Sequence, residues 1–307
     1  MLKQKDAGVL NVGYLEYGAP EGICVVLLHG FPYDANAYSE VAPILAAANY
    51  RVIVPYLRGF GPTRFLLPDT PRSGQQAALG YDLKALLDEL QIESAVLAGY
   101  DWGGRAACIV AALWPNRVIG LVTGGGYNIH RIEGALKPQK PEVELRYWYQ
   151  YYFHGERGRA GLAEYRREFC RLLWRLWSPN WQFDEAQFSK TAESFENEDF
   201  VDVVIHSYRH RFGLAVGDPA FEEIEKLLAA GPEITVPSIA LEGSGDGVTL
   251  PESYSHLDHL FINGFERQVI SRVGHNLPQE TPQEFAAAVL KVSRCGRAKS
   301  GAVCRLR

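Results

Sequence analysis

Apolar residues fall in two alternating patterns along this chain. Cys24-Val25-Val26-Leu27-Leu28, Ala95-Val96-Leu97-Ala98 and Val118 to Val122 are short unbroken apolar runs, which predict strands buried on both faces. Val9 to Tyr17 alternates only weakly and predicts an edge strand closed by Gly18-Ala19-Pro20. Tyr50 to Leu57, Ile234 to Leu241 and Arg267 to Val273 complete the strand set. Between them Ala37 to Ala48, Gln75 to Leu90 and Arg105 to Trp114 carry helical spacing, the last stopped by Pro115. A helix is predicted around Tyr254 to Leu260, and a final one has Thr281 as its cap, Pro282 in its first turn and Phe285 to Val292 as its body. Strands alternating with helices at this rhythm predict an α/β fold, a mostly parallel sheet flanked by helices. In such sheets ligands bind beyond the carboxyl ends of the strands.

The rhythm breaks near Ile129. Up to about Gly231 there is no buried-strand signal, only helical stretches dense in aromatics and arginine: Arg146 to Phe153, Tyr165 to Trp177 and Phe200 to Phe212. Four of the six tryptophans (Trp148, Trp174, Trp177, Trp181) lie there. The division expected is a core of residues 1–128 and 232–295, an inserted helical cap at 129–231, and a basic, aperiodic tail at 296–307 that predicts disorder. Most aromatics of such an insertion serve as its own core.

Within the core, Ser94 to Asn116 reads as strand, sharp turn and helix, with Asp101 at the tip of Gly99-Tyr100-Asp101-Trp102-Gly103-Gly104. Side chains at Gly99 or Gly103 would crowd so tight a corner. An Asp opening a helix also fits a simple N-cap. Two later residues shift the balance: Asp246, in Gly243-Ser244-Gly245-Asp246-Gly247, and His275, after Gly274, both fall at strand ends. Asp101, Asp246, His275 is the nucleophile, acid, base order of elbow hydrolases, with aspartate in the serine position. A carboxylate there attacks carbon to give an ester. An imidazole near neutrality then takes a proton from water, and Asp246 holds its tautomer.

Bulk properties change little. At 307 residues with 47% hydrophobic and 22% charged positions the composition is that of an ordinary globular protein. A net charge of −5 gives no reason to expect nucleic acid or an anionic membrane as partner. No apolar run is long enough for a membrane span, and the charged start predicts no signal peptide, hence a cytoplasmic protein. Five scattered cysteines without a paired motif predict free thiols, no metal and no cofactor.

The chain resembles the α/β-hydrolase superfamily, and within it the epoxide hydrolase and haloalkane dehalogenase branch. The resemblance is carried by His29-Gly30-Phe31-Pro32, Arg58-Gly59-Phe60-Gly61, the Gly99 to Gly104 elbow, Gly243 to Asp246 and Gly274-His275. It implies an oxyanion hole from the backbone N–H groups of Phe31 and Trp102, and a substrate pocket that includes His29, Pro32 and Trp148. Epoxide hydrolases carry two cap tyrosines that protonate the leaving oxygen. Tyr149-Gln150-Tyr151-Tyr152-Phe153 and Ser207-Tyr208-Arg209 resemble their settings and single out Tyr149 and Tyr208, with Tyr147, Tyr151 and Tyr152 as near neighbours. The implied reaction opens a small apolar epoxide with water to a vicinal diol.

Other readings stay open at this stage. Trp102 and the insertion tryptophans could donate N–H bonds to a halide, as in dehalogenases, although Phe31 stands where one dehalogenase group has Asn. Fluoroacetate dehalogenases use two arginines after the nucleophile. Arg105 matches one, but Trp102 occupies the place of the other and Gly125 the place of their acid. Tyr56 departs from the Asp common in related sequences. A ligand-binding member without turnover is a third class, against which the complete triad argues. Pairing through the insertion into a homodimer is left open by the sequence.

Overall fold

The computed structural model describes residues 1–297. Its strands are β1 Leu2–Ala7, β2 Leu10–Tyr17, β3 Ile23–Leu28, β4 Tyr50–Pro55, β5 Arg64–Phe65, β6 Ala95–Gly99, β7 Val118–Gly124, β8 Ser238–Gly243 and β9 Phe265–Ile270. They form one sheet in the order β1-β2-β4-β3-β6-β7-β8-β9, with β5 beside β2. Pairing is parallel from β4 through β9 and antiparallel at β1, β2 and β5. The helices are α1 Val41–Ala47, α2 Gln76–Glu89, α3 Asp101–Leu113, α4 Pro141–Arg146, α5 Trp148–His154, α6 Glu156–Glu164, α7 Arg166–Trp177, α8 Glu185–Ala192, α9 Phe200–His210, α10 Glu222–Ala229, α11 Leu277–Glu280 and α12 Pro282–Arg297.

The unbroken apolar runs became the sheet centre because both of its faces are covered. On β7 the outward direction at Gly120 meets Val292 of α12, while the neighbouring-parity Thr123 meets Gly104 of α3. The helices pair as α1 with α12 and α2 with α3. Three expectations shift. Strand β1 was not anticipated, because its Leu-Lys-Gln-Lys-Asp-Ala sequence is mostly exposed and is held by its ladder to β2 rather than by burial. The strand expected over Ile234 to Leu241 begins at Ser238, with Ile234 reduced to a single bridge, since Pro237 has no N–H to give a ladder. The final helix runs through Gly296 and Arg297, two residues assigned to the tail; residues 298–307 lie outside the described residues. The 254–260 segment is a short 3-10 helix, Ser255–Leu260.

Between β7 and β8 the described residues hold helices only, α4 to α10. Polar contacts tie them to the strand ends. Trp174 donates its indole N–H to the Pro32 carbonyl at 2.8 Å. Thr191 and Ser194 donate to the buried Asp34 carboxylate at 3.0 and 2.6 Å. Cys24, Cys108 and Cys170 are free and buried. Cys295 is disulfide-bonded, which corrects the expectation of five free thiols. Among the described residues no helix is long and apolar enough to cross a membrane, and no cluster of three metal-ligating side chains occurs.

Candidate active site

Strand β6 ends at Gly99 and α3 begins at Asp101, so the chain reverses over one residue. Asp101 pays for the corner with a left-handed backbone, φ +50°, a conformation rarely adopted by residues other than glycine. A Cβ at Gly103 would lie 2.1 Å from the Leu28 carbonyl oxygen, and one at Gly30 would lie 2.4 Å from Asp101 Cβ. These glycines let β3, β6 and α3 meet closely enough to set the carboxylate against the Gly30-Phe31 turn. The N-cap position belongs to Tyr100, and Asp101 caps nothing.

The Phe31 N–H donates to Asp101 Oδ1 at 2.8 Å. The other oxygen, Oδ2, faces His275 Nε2 at 3.6 Å, beyond hydrogen-bond distance but within ion-pair range. His275 Nδ1 lies 2.8 Å from Asp246 Oδ2, while Asp246 Oδ1 accepts from the Val248 and Thr249 N–H groups at 2.6 and 2.9 Å. The His275 backbone N–H is held by the Trp177 carbonyl and the Ser178 hydroxyl at the end of α7. The helical segment therefore helps to fix the imidazole.

Electrostatics couple the three groups. Burial disfavours the charged imidazole, but Asp246 and then Asp101 outweigh it and raise the His275 pKa to about 10. Burial likewise opposes ionisation of Asp101, and the facing His275 charge more than compensates, holding the carboxyl below its ordinary value. The resting pair is an aspartate beside an imidazolium. This corrects the expectation of a nearly neutral His275, because a sequence does not show that two carboxylates flank one ring.

A cavity of about 530 Å³ opens over these groups, lined by Asp101, Asp246, His275 and Tyr149 among others. Tyr149 on α5 is 2% exposed, and its hydroxyl oxygen accepts from Gln150 Nε2 at 3.0 Å, which leaves its own proton to donate. Tyr208 on α9 is fully buried against it, ring centroids 5.3 Å apart, and its hydroxyl has no partner among the described residues. Burial raises both phenol pKa values, so both stay protonated at neutral pH. Tyr208 does not itself line the open cavity; it sits behind Tyr149. Of the neighbouring tyrosines, Tyr147 and Tyr151 reach the cavity and Tyr152 stacks on Phe169 instead.

Several expected site residues lie elsewhere. His29 is wholly buried, its Nε2 accepting from the Leu57 N–H at 3.0 Å and its Nδ1 2.9 Å from the Gly30 carbonyl. Burial lowers its pKa to about 4, and it works as a neutral clamp between the ends of β3 and β4. Pro32, joined to Phe31 by a cis peptide bond, anchors Trp174 through its carbonyl. Trp148 packs on Phe169 and Tyr152. None of the three is among the residues that line the cavity. Phe31 and Trp102 are buried behind the carboxylate with rings 5.8 Å apart, and among the described residues no hydrogen bond joins the Trp102 N–H to Asp101. Sequence reasoning passed over Asn128, His130 and Arg211, which also line the cavity. Asn128 donates its side-chain N–H to the Asp101 carbonyl at 2.8 Å. These residues sit in loops or at a helix end, outside any periodic signal.

Comparison with known proteins agrees with this architecture. The model of a family described as the alpha/beta hydrolase fold matches residues 23–281. Epoxide hydrolase A of Mycobacterium tuberculosis is 25% identical over 313 aligned residues, covering 93% of this chain and 95% of its own. A crystal structure of a presumed epoxide hydrolase from Klebsiella pneumoniae superposes with a TM-score of 0.94 at 46% identity, covering 95% of this chain and 97% of that one. A haloalkane dehalogenase of Psychrobacter cryohalolentis is 33% identical over 128 residues, 40% of each chain.

Proposed function

This chain belongs to the α/β-hydrolase fold family, and on that premise we propose that it is an epoxide hydrolase acting through a covalent ester on Asp101. The observation that carries the reading is the two-sided placing of the nucleophile: Oδ2 turned toward His275 Nε2, and a protonated Tyr149 hydroxyl in the wall of the same cavity. Oδ2 attacks a ring carbon, the carbon–oxygen bond of the oxirane breaks, and the leaving oxygen takes the Tyr149 proton. Tyr208, packed behind, supports Tyr149. The imidazolium returns a proton to the tyrosinate and becomes neutral. His275 Nε2 then removes a proton from water, and hydroxide adds to the ester carbonyl carbon. The negative charge on Oδ1 is met by the Phe31 N–H, with the Trp102 N–H in the unpaired first turn of α3 as second donor. Collapse expels the alkoxide, which takes the proton left on the Asp101 carboxyl. The sum is epoxide plus water giving a vicinal diol. Helices α4 to α10 act as the cap.

Haloalkane dehalogenation is the second reading, kept by the buried Trp102 indole N–H, which has no partner among the described residues. That ring does not line the cavity, whereas Tyr149 does, and a halide needs no proton from a phenol. The test is His275→Ala with styrene oxide or a chlorinated alkane, read by intact-protein mass. An adduct of whole epoxide mass, absent in Asp101→Asn, is the expected result. An alkyl adduct lacking halogen, with none from the epoxide, would replace this reading by the second.

A further inference from the structure

Two guanidinium groups share the cavity with Asp101, and neither has a carboxylate within 4 Å among the described residues. Arg105 is 5% exposed and lies one helical turn beyond Asp101 on α3, on the same helix face. Its Nε donates to the Asn128 carbonyl at 3.1 Å and its Nη2 to Asn128 Oδ1 at 3.2 Å and His130 Nε2 at 2.6 Å. Arg211 follows α9. Its Nε and Nη2 donate to the Ser207 carbonyl and hydroxyl at 3.3 and 3.1 Å, and its Cζ lies over the Tyr208 ring, 4.3 Å from the centroid. All of these partners are neutral, and the Nη1 of each arginine makes no hydrogen bond among the described residues. The other carboxylates facing the cavity are committed: Glu144 to Tyr151, Glu242 to Arg267, Asp246 to His275. Arg131 and Lys137 add positive charge to the same wall.

A buried cation with no carboxylate in direct contact is costly, and an anion supplied from outside recovers that cost. Asp101 favours the Arg105 charge from a distance, but among the described residues it makes no direct bond to either guanidinium, and its Oδ2 faces the His275 charge. We propose that the substrate is an epoxide bearing a carboxylate close to the oxirane, held by Arg105 and Arg211 while Asp101 Oδ2 attacks a ring carbon. The proposal rests on the epoxide reading above and departs from the expectation of a small apolar epoxide. Asn128 makes the geometry rigid: it fixes Arg105 through its carbonyl and Oδ1, and the Asp101 backbone through its Nδ2. Burial and the neighbouring Arg211 lower the Arg105 pKa only to about 10, so it remains charged at neutral pH.

The probes are 3-phenylglycidate and its uncharged amide for turnover, with phenylacetate and phenylacetamide for binding by calorimetry. Wild-type protein is expected to favour the acid over the amide at least tenfold in kcat/KM. That ratio should fall at least tenfold in Arg211→Met and in Arg105→Met, through KM, with Arg105→Lys recovering part of it. Phenylacetate affinity should drop in parallel. Arg211 is half-buried at a helix end, so its variant tests the idea even where Arg105→Met fails to fold. Equal turnover of acid and amide in the wild type, or a ratio and phenylacetate affinity unchanged in Arg211→Met, would overturn the proposal while leaving the epoxide reading intact. Arginine-dependent phenylacetate binding with both epoxides inert would instead bring down the epoxide reading, and this substrate assignment with it.

Discussion

In the proposed ester intermediate Asp101 has lost its charge, and His275 faces one carboxylate instead of two. Its raised pKa of about 10 in the resting site must therefore fall in the ester intermediate, since an opposite charge nearby favours the protonated ring. Ester hydrolysis, followed by rapid-quench mass measurement, is expected to speed up with pH along a curve whose midpoint lies below 10. A midpoint at or above the resting value would remove Asp101 from the charge argument. For folding the sign is the reverse. A pKa raised above the ordinary 6.5 contributes stability that is complete below pH 6.5 and is lost as pH climbs through about 10. At the leaving-group end, Tyr149→Phe removes the proposed proton donor from the cavity wall. It should lower epoxide kcat by about 100-fold, in line with what general acids contribute, and change haloalkane turnover little. Tyr208→Phe, acting through Tyr149, should cost less. A larger loss in Tyr208→Phe would exchange the two roles.

At the scale of elements, the strand–turn–helix around Asp101 was legible because its constraints are local. Gly99, Gly103 and the apolar run before them require the same corner whatever surrounds it. The structure adds the reason for Gly103: an added methyl would meet the Leu28 carbonyl of another strand. Gly103→Ala should cost about 3 kcal/mol or more in denaturant unfolding, as overpacking against an unyielding backbone does. Gly155→Ala, with nothing within 4 Å of the added methyl among the described residues, should cost well below that. Strand β1 carries no periodic mark, because it is defined by its hydrogen bonds to β2 rather than by burial, and β8 starts late because Pro237 interrupts its ladder.

Across the whole molecule, Asp34 joins the sheet body to the helical segment through Thr191 and Ser194. Burial pushes its pKa up to about 6. The charged form is thus disfavoured on folding, and the stability contribution present below pH 3.8 is lost as pH rises through about 6. Asp34→Asn should lack that decline between pH 4 and 7. Asp34→Ala, which leaves two buried hydroxyls without an acceptor, should lose about 2 kcal/mol. Parallel wild-type and Asp34→Asn stability profiles over that range would show that the charge does not matter there.

Fold class, the chain order Asp101, Asp246, His275 and the presence of a helical segment between two strands were determined by the sequence alone, because each follows from local period, glycine placement and order along the chain. The tertiary structure decided which side chains share a space. It moved His29, Pro32 and Trp148 out of the cavity wall and set two carboxylates on one imidazole. It also brought Arg105 of α3 and Arg211, beyond α9, to the same cavity wall as Asp101. Those are relations between residues far apart in the chain, fixed by how helices pack over strand ends and by the energy of charges held away from water.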